Sequence, residues 1–362
     1  MNAGLRCLLL SVLAWPVSLG AVEIATGSML GPRYDEKSFY QRTSPRGEWT
    51  HTYQIGHFRK QVRGKLLGVR ATYALFDDEF LEDESFTPDA NTDRAIAALE
   101  RYHRYGVTVV AVNLQGDAKP YDGPEARSGQ ARDGKKHGAL IGAFQPDGTL
   151  IPAWTERLAR LLEAANKLGI VVALTYFTPD QDEVFESPEA IVAAARNMTR
   201  WLIEQDARNV IIDIADRWDL EAELWDFGRF IPRNIGSLVI DVRDQFNSAA
   251  FTLPIGATGG NALAYPSSLA KLCDVILLRG GQSEASYRAH ALGQHEEVER
   301  PVLLFGAEPL DAAAADRAAG AIFSAPQDAG VYPFSYGSEP DEPKFQPILH
   351  SIAKLALKKP PE

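Results

Sequence analysis

The stretch Asn209-Val210-Ile211-Ile212-Asp213-Ile214-Ala215-Asp216-Arg217-Trp218-Asp219 decides the fold. Val210, Ile211, Ile212 and Ile214 form a β-branched run too short for a helix, and it ends abruptly in Asp216, Arg217, Trp218 and Asp219. It reads as a buried strand with charge at its C-terminal end. In a barrel of parallel strands that end is where chemistry is placed. The plainer alternative is a core strand running into a solvated, charge-paired loop, since charges mostly stay at the surface.

On both sides of this strand, short apolar runs alternate with amphipathic helical patterns. Toward the N-terminus, Leu66–Thr72 reads as a first strand, followed by a helix over Thr92–Tyr105 that Gly106 closes. Val107–Leu114 is the second strand, and a long loop from Gln115 to Ile151 leads to a helix over Pro152–Leu168 with Gly169 behind it. Ile170–Phe177 is the third strand, and Ser187, Pro188 and Glu189 cap a helix running to about Gln205.

Beyond the opening strand, a helix over about Arg233–Phe246 leads to a fifth strand at Ala250–Ala257, which Pro254 weakens. Cys273–Arg279 is the sixth strand and Pro301–Phe305 the seventh, with a helix around Ala285–Glu299 between them. The alanine-rich Asp311–Phe323 reads as a helix, Gly330–Ser335 as the eighth strand, and Lys344–Lys358 as the last helix. Eight strand and helix pairs in strict alternation predict a single-domain (β/α)8 barrel, a TIM barrel, over residues 66–362.

Residues 1–21 read as a secretory signal: Arg6, an apolar segment from Cys7 to Val17, then Ser18, Leu19, Gly20 and Ala21, with cleavage near Gly20 or Ala21. The apolar run is too short to span a bilayer. Export is therefore expected, to a periplasmic or extracellular location, with no membrane insertion after cleavage. Residues 22–65 are polar and aromatic without a sustained period, and predict an extended N-terminal arm on the barrel, with short strands at most. Cys273 alone remains after cleavage, which leaves no internal disulfide and no multi-cysteine metal site.

The formal net charge is −11, and loss of Arg6 with the signal makes it −12. That balance opposes nucleic acid or anionic lipid as a partner, because each calls for a basic surface. No HExxH, GxSxG or phosphate-binding glycine loop is present, so neither a metal nor a cofactor is expected. The acidic clusters Asp77-Asp78-Glu79 and Glu82-Asp83-Glu84 lack EF-hand spacing and read as a solvated loop, with a calcium site as the alternative.

GVRATYALFDDE, NLQG after the second strand, AFQPDGTLIPAW, DIADRWD and RPVLLFG, in this order and spacing, resemble the cellulase-like clan A glycoside hydrolases, and within them uncharacterised secreted bacterial relatives. The resemblance covers nearly the whole chain after the signal, and its weight lies in the set of motifs taken together. It implies a carbohydrate ligand or substrate in a cleft at the C-terminal end of the barrel. It also implies two catalytic glutamates, an acid/base after an asparagine at the fourth strand and a nucleophile at the seventh, about 5 to 5.5 Å apart in retaining enzymes.

At both places this sequence departs from that pattern. Asp216 and Arg217 stand where asparagine and glutamate would be, and Gly306 stands where the nucleophile would be. The nearest carboxylate to the second is Glu308, displaced by about 6.6 Å along an extended strand unless a bulge at Gly306 and Ala307 recovers part of it. Glu308 and Asp216 are thus the candidate catalytic residues. Arg217 cannot donate a proton, and reads either as a salt-bridge partner of Asp219 or Glu308 or as a bidentate fork for a uronic acid.

Further candidates for holding a ligand are Arg70, Asn113, Gln115, Tyr176, Trp218 and Arg279 at strand ends, and Tyr332 where the resemblance implies a tryptophan platform. Two functions follow, a hydrolase with rearranged carboxylates or a catalytically inactive carbohydrate-binding protein, with a structural scaffold that binds no ligand as a third alternative.

Overall fold

The computed structural model describes residues 22–24, 49–55, 58–64, 66–76, 87–116, 142–179, 181–219, 225–259, 265–279, 302–307, 320–324, 336 and 342–356. The parallel sheet is built from β4 (Leu66–Arg70), β5 (Val109–Asn113), β6 (Val171–Phe177), β7 (Val210–Ala215), β8 (Ile255–Gly256), β9 (Thr258–Gly259), β10 (Ile276–Arg279), β11 (Val302–Ala307) and β12 (Gly320–Phe323). Neighbours in the sheet run β8-β7-β6-β5-β4-β12-β11-β10-β9. β8 and β9 sit at opposite ends of that order, yet only Ala257 separates them in the chain. They are two halves of one barrel strand, and the ring closes through it as a (β/α)8 barrel.

Each strand is buried on both faces, as the β-branched runs require in a sheet covered by helices. Alternation along the strands sorts the side chains into two cores. Leu66, Val109, Ala111, Val171, Ala173, Ile211, Val275, Leu277, Leu303, Phe305 and Ile322 fill the barrel interior. Their neighbours in sequence, such as Val110, Val172, Ile212, Leu278 and Leu304, join the layer packed against the helices.

The helices begin and end where the sequence chemistry directs. In α1 (Pro88–Tyr105) the Thr87 Oγ1 accepts from the Ala90 N–H, and Gly106 closes the C-terminus at φ 93°. α2 (Pro152–Leu168) ends on Gly169 at φ 71°, and α3 (Pro188–Glu204) starts with the Ser187 Oγ accepting from the Ala190 N–H. α4 (Asp226–Asp244), α5 (Ser267–Leu272) and α6 (Glu342–Leu355) complete the described helices. The α1–α2 surface carries Arg160, paired with Asp89 at 2.6 Å and Asp93 at 2.5 Å.

Three expectations are corrected in detail. The eighth barrel strand is β12, within the alanine-rich stretch expected to be a helix through Phe323; it pairs with both β11 and β4, so the place assigned to Gly330–Ser335 is taken. A Cβ on Gly320 would lie 2.0 Å from the Leu66 carbonyl oxygen, so glycine here lets two strands approach. The fifth strand is shorter than expected, broken at Ala257. The N-terminal stretch is more ordered than an arm with short strands: β1 (Val22–Ile24), β2 (Trp49–Ile55) and β3 (Phe58–Gly64) form an antiparallel sheet, with seven residues in each of its hairpin strands.

Candidate functional site

The inward-facing rows of the barrel predict what reaches its mouth. Continuing the alternation toward the C-terminal end of each strand gives Arg70 after Leu66, Asn113 after Ala111, and Thr175 after Ala173. On the other side of the ring it gives Asp213 after Ile211, Arg279 after Leu277, and Ser324 after Ile322. Six polar side chains therefore follow a purely apolar interior layer.

Asp216, one residue past the end of β7 and only 1% exposed, meets two of them, Arg70 and Arg279. Its main-chain N–H donates to the Phe177 carbonyl at 2.9 Å, which holds the turn against the end of β6. Arg279 Nη1 donates to both carboxylate oxygens, at 2.5 Å to Oδ1. Arg70 Nη2 and Arg217 Nε each stand 3.7 Å from Oδ2. Burial alone would raise the Asp216 carboxyl, but the guanidinium groups of Arg279, Arg217 and Arg70 together hold it well below the usual carboxylate range. Asp216 is an ionised anchor with no proton to give.

The arginines are themselves positioned. Arg70 is 3% exposed and its guanidinium lies 5.7 Å from the centre of the Phe305 ring. Arg217 and Arg279 are partly exposed, at 19% and 18%, so both reach the mouth. Arg217 takes φ 51°, a left-handed conformation uncommon for a side chain of this size, and it is the residue at the expected acid/base position.

Across the mouth, Gly306 has φ 73° and the register of β11 against β12 shifts between Phe305 and Ala307. The strand is thus irregular at the place, Gly306 and Ala307, where a bulge would recover part of the displacement of Glu308. Around an ideal Cβ at Gly306 the nearest described atoms are Ser324 Oγ at 3.7 Å and Arg279 Nε at 3.8 Å. Where the resemblance implies a nucleophile side chain, a Cβ would sit in ordinary van der Waals contact with the Arg279 side chain and the Ser324 hydroxyl. Glu308, the displaced candidate, lies outside the described residues, as do Tyr332 and both acidic clusters.

Asp213 lies one layer below Asp216. Fully buried, it accepts from the Thr258 N–H and the Thr258 hydroxyl, each at 2.8 Å, and from the Thr175 hydroxyl at 2.9 Å. Burial, and then the charge of Asp216, push its pKa up to about 7 despite these three donors. The sequence reading passed over Asp213; its signal was an acid on the same strand face as Ile211.

The remaining candidates divide. Asn113 is 1% exposed, and its Nδ2 has no hydrogen-bond partner among the described residues, so it is available at the mouth. Trp218 is partly buried over Gly259, edge-on to Tyr265 with ring centroids 6.4 Å apart. Gln115 sits beside the mouth but spends its amide on the loops: Nε2 donates to the Gln181 carbonyl at 3.2 Å and Oε1 accepts from the Thr178 N–H at 3.1 Å. Tyr176 is not brought to the mouth. It has the parity of Val172 and Leu174, packs toward the helices, and its hydroxyl meets Thr199 of α3 at 3.1 Å.

Among the described residues no group of three or more His, Cys, Asp or Glu is placed to hold a metal, and no helix is long and apolar enough to cross a membrane. Cys273 is buried against Tyr265, and burial pushes its thiol up to about 12.

No family model and no curated protein matches the chain. Solved structures do. One, described as a glycoside hydrolase, is 11% identical over 94% of this chain and 74% of its own, with a TM-score of 0.52. A glycoside hydrolase family 5 protein from Bacteroides vulgatus is 12% identical over 86% of this chain and 68% of its own, with a TM-score of 0.51. The chain spans 48% of the length of a third, a candidate glycoside hydrolase from the same species, at 14% identity and a TM-score of 0.47. At these identities the likeness is one of fold, the (β/α)8 barrel.

Proposed function

We propose that this protein binds an oligo- or polysaccharide in the cleft at the C-terminal mouth of its barrel, with little or no glycosidase turnover. The observation that carries this is the state of Asp216, an ionised carboxylate enclosed by Arg70, Arg217 and Arg279, next to Arg217 at the acid/base position. General acid catalysis, which contributes about 100- to 10,000-fold, needs a proton that neither residue can supply at neutral pH. The glycoside hydrolase fold of the neighbours supports a carbohydrate as the ligand.

The test pairs two measurements on the mature chain. Aryl glycosides whose leaving groups require protonation are expected to turn over at or near the uncatalysed rate, while calorimetry detects an oligosaccharide bound in the cleft. Arg217→Ala weakens that binding. Efficient hydrolysis by the wild type would remove the proposal.

The β-bulge at Gly306 favours a second reading, a hydrolase in which the bend brings Glu308 back as nucleophile. It expects glycan hydrolysis that Glu308→Gln abolishes with the fold intact. Export belongs to the same proposal, since a polysaccharide ligand fits a periplasmic or extracellular protein. Intact-mass measurement is expected to show residues up to about Ala21 removed, and retention of Met1 would count against it.

A further inference from the structure

We infer that the cleft is built for an acidic sugar, and that the ligand's own carboxylate occupies the gap over Gly306. The inference rests on the carbohydrate-binding reading and names the ligand class. Three features converge. Gly306 carries no side chain where the resemblance implies a carboxylate, and an ideal Cβ there would clash with no described atom, the nearest being 3.7 Å away. The two groups that border it are both donors, the Ser324 hydroxyl and the Arg279 guanidinium at Nε. Arg279 commits Nη1 to Asp216, which holds the guanidinium in place with its Nε 3.8 Å from the Cβ position at Gly306. A planar carboxylate is the group a guanidinium edge recognises best.

The surroundings favour an anion over a neutral hydroxyl. Arg279 stands within hydrogen-bond reach of Asp216, with Arg70 and Arg217 also near that carboxylate, in a site where burial weakens solvent screening. Asn113, on the neighbouring inward row, adds a buried amide whose Nδ2 has no partner among the described residues. A hexuronate residue would carry its carboxylate into the gap and present ring hydroxyls to donors such as Asn113.

The experiment is calorimetric titration of the mature protein with tetrasaccharides of 1,4-linked hexuronates and with the same chains after reduction of their carboxyl groups to neutral hexoses. The expected result is an acidic ligand bound about tenfold or more tighter than its neutral counterpart, the value of a charge-assisted hydrogen bond. Ser324→Asp and Gly306→Asp each place a carboxylate at the gap; aspartate tolerates the left-handed backbone at 306 better than most residues. Both are expected to erase the preference for the acidic ligand, with circular dichroism reporting an intact fold. Equal affinity for acidic and neutral chains overturns the inference and leaves the cleft reading standing. No binding by either overturns both. A preference for the acidic ligand that survives in whichever of the two variants keeps its fold overturns the assignment of the gap.

Discussion

Asp213 and Asp216 are three residues apart, both buried, and the barrel moves their proton affinities in opposite directions. Asp213 meets hydroxyl and amide donors but no cation among its hydrogen bonds, so burial dominates and its pKa rises to about 7. Asp216 meets three guanidinium groups and stays ionised. The linkage signs follow. Between an unfolded value near 3.8 and about 7, the folded chain holds a proton on Asp213 that the unfolded chain has released, so this residue's contribution falls as pH rises through that window. Asp216 acts oppositely, stabilising above its unfolded value and losing that contribution as pH falls below it. Urea unfolding between pH 4 and 8 is therefore expected to show the decline in wild type and a flatter profile in Asp213→Asn, whose amide can still serve the two threonines. Asp216→Asn, which strips a buried charge from its partners, is expected to cost about 3–5 kcal/mol at pH 7. A parallel pH profile for Asp213→Asn and wild type would refute the first assignment.

The same residues show what the sequence carries. Asp216, Arg217, Arg70 and Arg279 were legible because each ends an apolar run, and a barrel places such ends together. Tyr176 was misplaced by attending to where the strand ends and neglecting its parity: Val172, Leu174 and Tyr176 share the outer face. Asp213 was legible by the same parity and was missed because the surrounding isoleucines mark the strand as core. That Arg279 Nη1 would reach across from β10 to Asp216 has no local signal at all, since the two are 63 positions apart.

At the scale of elements, the weak point is the fifth barrel strand, two dipeptides on either side of Ala257. β8 is tied to β7 by Ile212↔Ile255 and Asp213↔Gly256, and β9 to β10 by Thr258↔Leu277 and Gly259↔Leu278. What spans the break is side-chain bonding: Asp213 receives both Thr258 donors, and the Tyr265 hydroxyl donates to the Ala257 carbonyl at 2.9 Å. Thr258→Val keeps the shape and removes one donor, with an expected cost of about 1–3 kcal/mol at pH 7. The cost is expected to shrink at pH 5, where Asp213 is mostly neutral and depends less on that bond, and an equal cost at both pH values would separate Asp213 from the closure. Pro254 signalled the weakness of this strand in the sequence. The eighth strand gave the reverse lesson, because Ala-rich composition reads as helix by propensity, whereas Gly-Ala-Ile-Phe at 320–323 is held as strand by pairing with β4 and β11.

For the whole molecule, charge is distributed against its average. The chain carries a formal −11, yet among the described residues its barrel mouth places Arg70, Arg217 and Arg279 near Asp216. A net negative surface repels polyanions at long range, while the arginines act over a few ångströms, well inside the screening length of about 8–10 Å at 0.1–0.15 M salt. Binding of a short acidic oligosaccharide is accordingly expected to change little between about 0.05 and 0.3 M salt, because screening relieves the distant repulsion as it weakens the local attraction. Duplex DNA and vesicles of anionic lipid are expected not to bind at about 0.1 M salt. Fluorescence titration of labelled oligosaccharide and DNA across that range separates the cases. A steep linear loss of affinity with the logarithm of salt concentration is the mark of counterion release from an extended basic surface. Its appearance would move the binding face away from the barrel mouth, and a flat response confined to the oligosaccharide would keep it there.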